Sequence, residues 1–159
     1  MNQKKIANGL KLFCILVAVV GAIFFFFYIP FRIGELAELF PEAAYLKWPG
    51  IIGVWIIAVL CYIALWNFWT ICTRIGEDNS FCNENADAMK RMAVMAFLIV
   101  GLVTAAMIFV GILGFLGIAY FMVYFFVACV AAGVGVVCYA LSLLIRKAAE
   151  IKEENDLTI

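Results

Sequence analysis

Six cysteines, Cys14, Cys61, Cys72, Cys82, Cys129 and Cys138, are the side chains best suited to covalent chemistry in this sequence. Thiol–disulfide exchange needs two of them close together, accessible, and poised on the oxidising side of a membrane. No C-x-x-C pair occurs, so their expected role is that of small apolar packing residues. Metal binding has no better basis, because the chain contains no His and the thiols lack a ligand spacing; no cofactor is expected. Glu35, Glu38 and Glu42 are the second cluster, and three carboxylates on one segment could gather a cation. Opposite them Leu36, Leu39, Phe40, Ala43 and Leu46 recur at helical spacing, which fits a solvated acidic face on a surface helix. The run Asp78-Asn79-Ser80 opens like a calcium loop but lacks the Gly and the closing Glu at their required offsets.

The elements that must position these residues are four long apolar stretches. Apolar residues make up 68% of the 159 and charged residues 14%, with net charge zero, too little polar surface to cover a core in water. No clustered basic surface exists, so direct nucleic-acid binding is not expected. Spans are expected at about residues 12–31, 49–73, 93–113 and 118–145, each long enough to cross a bilayer. From Met92 to Ile145 no residue is charged, about twice one crossing, so that run must fold back at Gly111, Gly114 and Gly117. The expected fold is an all-α integral membrane four-helix bundle, one domain over residues 1–159. None of the spans holds an Asp, Glu, Lys or Arg, which removes proton relays and ion sites from the bilayer. General acid–base groups lie only at the membrane margins, and an enzyme is not expected.

Basic residues orient the chain. Lys4, Lys5, Lys11, Arg74, Lys90, Arg91, Arg146, Lys147 and Lys152 fall on one side and only Arg32 and Lys47 on the other. The positive-inside rule then places both termini and the connector 74–91 in the cytoplasm, with the amphipathic segment 32–47 outside, its helix bent or restarted by Pro41. Small residues mark the expected packing faces: Ala128, Ala132 and Gly135 on the fourth span, Gly101, Ala105 and Gly111 on the third. The same faces could instead form the seam of a homo-oligomer. Asn67 is the one span side chain that needs a partner from elsewhere, a neighbouring group or interfacial water.

Ordered features concentrate in the connector and in the tail 146–159. Gly76 ends one helix, Asp78-Asn79-Ser80 supplies turn and capping side chains, and a new helix starts near Cys82, with Glu84 favourably placed in its first turn. Asp87 is expected to pair with Lys90 or Arg91. Candidate partner-docking residues are Phe81, Asn85, Lys90, Arg91, Asp156, Leu157 and Ile159.

Gly76, Phe81, Asn85, the basic pair Lys90-Arg91 leading into an apolar run, and the closing Glu-Asn-Asp-Leu-Thr-Ile together resemble the bacterial membrane proteins of domain-of-unknown-function family 2975. The likeness covers essentially the whole chain, although that family more often has Thr, Ser or Asp where this sequence has Cys82. It implies a cytoplasmic partner, a small helix-turn-helix regulator, and brings no catalytic residues. The expected function is a non-enzymatic regulator or scaffold in the cytoplasmic membrane. The competing expectation is a small transporter or channel for a neutral or lipid-like substrate.

Overall fold

Two prolines shape the first third of the molecule. The structure, a computed structural model, describes residues 3–77, 79–114 and 117–156. Helix α1 spans Gln3–Ile23 and α2 spans Ile29–Leu39, joined without a break by a π-helical turn at Phe24–Tyr28. Pro30 has no N–H to give the Phe26 carbonyl, and its ring crowds the preceding turn. The helix responds by widening, so that the Ile29 N–H reaches the Phe24 carbonyl, the i→i+5 pattern of a π-bulge. At Pro41 the chain does break. Phe40 is forced out of the helical region, to φ −125° and ψ 79°, as expected of a residue before proline, and a 3₁₀ turn follows over Pro41–Leu46.

Three long helices complete the chain: α3, Lys47–Gly76, α4, Asn83–Ile112, and α5, Ile118–Asp156. Among the described residues there is no strand. Four helical stretches, Gln3–Leu39, Pro41–Gly76, Asn83–Ile112 and Ile118–Asn155, are long and apolar enough to cross a membrane. The hairpin between α4 and α5 turns at Gly114, whose φ of +78° suits a residue without a Cβ. Its N–H closes back on the Gly111 carbonyl at 3.0 Å. α5 is 39 residues long, so at about 1.5 Å per residue it is nearly twice as long as a bilayer core is thick and must continue beyond it.

α1 packs on α3, α3 on α4, and α4 on α5, and no other pair of these long helices packs together among the described residues. The expected four-helix bundle is therefore open along the side where α1 and α5 would meet.

In lipid the hydrophobic effect does not drive helices together, so close approach must hold them. Along the α4–α5 seam, Ala86, Ala93, Ala96, Ile99 and Val103 are buried on one helix and Gly135, Cys138, Ser142 and Ala149 on the other. A Cβ added at Gly135 would lie 3.1 Å from the Phe97 ring and 3.3 Å from the Ala96 Cβ. The seam expected from Gly101, Ala105 and Gly111 is not the one used. All three are exposed, because the face of α4 turned to α5 repeats through Ala93, Ala96 and Val103, and Gly101 lies off that stripe. Between α1 and α3, the Tyr62 hydroxyl donates to the Ala18 carbonyl at 2.7 Å, and a Cβ at Gly76 would meet that of Ala7 at 3.2 Å. The Lys11 ammonium sits 5.5 Å from the Trp69 ring centre, a cation–π contact. The six cysteines are free thiols, four of them buried between helices or in the connector.

Candidate functional site

At the end of the molecule that carries the α3–α4 connector, polar side chains are drawn inward. α3 ends at Gly76, and the Glu77 and Asn79 N–H groups both return to the Arg74 carbonyl at 3.1 Å. Asn85, on the first turn of α4, is completely buried. Its amide nitrogen donates to the Ser80 carbonyl at 3.0 Å and the Asn79 carbonyl at 3.3 Å, while its oxygen accepts from Arg74 at 3.4 Å. One buried amide thus closes the turn from inside, which satisfies groups that would be costly to bury unpaired. Asn79 and Ser80 take part through their backbone carbonyls, not through the capping side chains expected of them; Asp78 lies outside the described residues.

Cys82 occupies the N-cap of α4 with extended backbone, φ −137° and ψ 154°, and makes no side-chain cap bond. Its carbonyl accepts from the N–H groups of Asn85 and Ala86. Burial pushes the Cys82 thiol up, so it stays protonated at neutral pH and is a poor nucleophile. Glu84 in the first turn is held below the ordinary carboxylate range, chiefly by a backbone N–H at the helix start and then by the Cys82 thiol.

Arg91 and Asp87 find partners other than each other. The Arg91 Nε donates to the side-chain oxygen of Asn67 at 2.8 Å, and Asn67 in turn donates to the Ile63 carbonyl one turn back. Asp87 is bound by Arg146 of α5 at 2.6 Å, not by Lys90 or Arg91. Helical spacing puts Asp87 near those residues, but packing brings Arg146 alongside. These two bonds tie α3 to α4 and α4 to α5 just below the connector.

α5 continues past the α4–α5 seam and reaches the connector. Ala149 is buried, and Phe81, Cys82, Asn83, Glu84, Ala149, Lys152 and Glu153 line an open cleft of about 330 Å³. Phe81 stands at its edge, 56% exposed. Of the candidate docking residues, Phe81 and Lys90 are therefore presented outward and Asn85 is committed to internal bonds, while Arg91 is exposed but has its Nε tied to Asn67. Asp156 ends α5, and Leu157 and Ile159 lie outside the described residues.

Below the connector, between the helices, the interior is apolar and incompletely filled. A hollow of about 730 Å³ is walled by all four long helices, among others by Phe25, Phe68, Ile99 and Val127. A second, of about 280 Å³, lies under α2 and the 3₁₀ turn and shares Val54 and Tyr124 with the first. Ile33, Leu36, Ala37, Phe40, Ala43 and Leu46 face this smaller hollow. Leu39, expected on the same face, is 73% exposed, since it lies one turn from Glu35 on the outward face of α2. Arg32 pairs with Glu35 on the outside of α2.

The asparagine network and the hollow went unseen in the sequence. Asn67, as a lone amide in a span, was the available signal for the first, but nothing in residue spacing names Arg91 as its partner.

A family model described as "Protein of unknown function (DUF2975)" matches residues 32–159. An uncharacterized membrane protein of Bacillus subtilis (strain 168), YoaS, is 26% identical over 152 residues, covering 94% of this chain and 95% of its own length. No solved structure matches the chain.

Proposed function

The chain belongs to this family of unknown function and is a membrane protein, and from that premise we propose that it is a non-enzymatic regulator or scaffold that binds a cytoplasmic protein at its connector end. The observation that carries this reading is an exposed aromatic ring, Phe81, on a turn locked from within by the fully buried Asn85. A rigid turn loses little conformational freedom on binding, and an aromatic beside a cleft is a suitable anchor for a partner. The excess of Lys and Arg at this end supports its placement in the cytoplasm, with both termini on the same side of the cytoplasmic membrane. The small helix-turn-helix regulator implied by the family resemblance is the first partner to test.

Affinity purification from native membranes in mild detergent, using the intact chain, Phe81→Ala and a chain ending at Glu154, tests the proposal. Loss of a stoichiometric cytoplasmic protein from Phe81→Ala, with unchanged thermal unfolding, supports it. Equal recovery of all co-purifying proteins in the three samples overturns it.

The hollow between the helices favours a second reading, a carrier or channel for a neutral or lipid-like substrate. Proteoliposome flux above that of empty vesicles would support that reading over the first.

A further inference from the structure

The larger hollow poses a packing problem with few solutions. Its volume, about 730 Å³, is many times that of a water molecule, and its wall offers almost no hydrogen-bond partners, so ordered water cannot fill it. Its wall residues Phe13, Phe126, Val130 and Val134 are all at least half exposed, because α1 and α5 do not meet and the hollow opens sideways between them. In a helix assembly long and apolar enough to span a bilayer, what reaches such an opening is hydrocarbon.

The end of this space is chemically different. Where the two hollows meet, Tyr124 lines both, and Tyr120 and Lys47 line the smaller one. Neither tyrosine hydroxyl has a hydrogen-bond partner among the described residues. Lys47 is half-buried, its ammonium lies over Gly34 of α2, and it makes no ion pair among the described residues. Glu35 is taken by Arg32, and neither of the exposed acids Glu38 and Glu42 forms an ion pair with Lys47 among the described residues. Lys47 and the two tyrosines therefore line the polar end of a long apolar trough.

We propose that the joined hollows hold one anionic phospholipid of the surrounding membrane, with an acyl chain between α1 and α5 and its phosphate at Lys47, Tyr120 and Tyr124. The chain fills space that protein side chains leave open. The ammonium and hydroxyls supply charge-assisted hydrogen bonds to phosphate oxygens. An amphiphile with one apolar chain and an anionic head matches both ends of the site; a purely apolar molecule would leave Lys47 unanswered.

Native mass spectrometry of the intact chain, delipidated and then titrated with phosphatidylglycerol or phosphatidylcholine, tests this inference. One phospholipid per chain is expected, with phosphatidylglycerol preferred about fivefold, the contribution of one lysine near an anionic head group. Lys47→Gln should bring that ratio to about one while phosphatidylcholine binding is unchanged, and Lys90→Gln at the far end should leave the ratio as it is. Val127→Trp, which fills the trough, should abolish both adducts. If this variant does not fold, the Lys47→Gln ratio decides alone. A wild-type chain that binds no lipid, a ratio unmoved by Lys47→Gln, or a lipid-free dimer closing the opening would each overturn the proposal. None of these outcomes bears on the connector end, so the scaffold reading stands or falls separately.

Discussion

The connector end and the interior between the helices solve opposite problems. At the connector end polar side chains bond one element to the next: Asn85 by three bonds, Asn67 to Arg91, Asp87 to Arg146. Between the helices the interior is apolar and encloses a hollow, at whose outer end Lys47 makes no ion pair and Tyr120 and Tyr124 make no side-chain hydrogen bond among the described residues. A network of satisfied hydrogen bonds fixes one geometry, whereas loosely apposed apolar walls tolerate a guest. Rigidity and accommodation are thus divided between the connector end and the span interior of the same four helices.

The largest effect should come from breaking the closed end. Asn85→Ala removes three bonds and leaves the Arg74 guanidinium and two carbonyls short of a partner in a part-buried turn, at a cost of about 2–4 kcal/mol. Thermal unfolding in detergent, together with faster proteolysis between Gly76 and Cys82, would register it; an unchanged melting curve would mean the network does not hold that end.

A smaller loss is expected where α4 and α5 lie closest. Gly135→Leu drives a side chain into Phe97 and Ala96 and should cost about 1–3 kcal/mol. Gly101→Ala, by contrast, adds its methyl to open space and should stabilise α4 by about 0.5–1 kcal/mol. Equal effects of the two would show that the seam does not follow the stripe through Ala93, Ala96 and Val103.

Smallest is the tie between α4 and α5 below the connector. Asp87 and Arg146 are about half exposed, at 52% and 47%, so solvent screening limits the pair to less than about 1 kcal/mol. Asp87→Asn should lower stability by that amount at low salt, and added salt should shrink the difference. A loss insensitive to salt would mean that the connector end depends on Asp87 through packing and not through charge.

Much of the architecture was legible because bilayer-spanning helices announce themselves by length and by the absence of charge. Gly76, Pro41 and Gly114 marked real breaks, since each acts through its own backbone chemistry and needs no tertiary neighbour. The partners of Asn67, Asp87 and Arg91 were not legible. Asp87 and Arg91 lie one turn apart on α4, so local spacing favoured a bond within the helix, and only the approach of α3 and α5 offered better geometry. Gly101 was misplaced for the same reason: a small residue permits close approach without saying which helix will come near.

By itself the sequence determined that the chain is helical, that four segments suit a membrane, and where the helices stop. Those properties depend on each residue's own hydropathy and dihedral freedom, which are local. Only the tertiary structure decided that α1 and α5 stay apart, that Asn85 is buried while Phe81 is presented, and that Lys47 reaches the mouth of an apolar hollow. These follow from how helix faces rotate against one another, and small side chains along α4 and α5 leave that choice to packing.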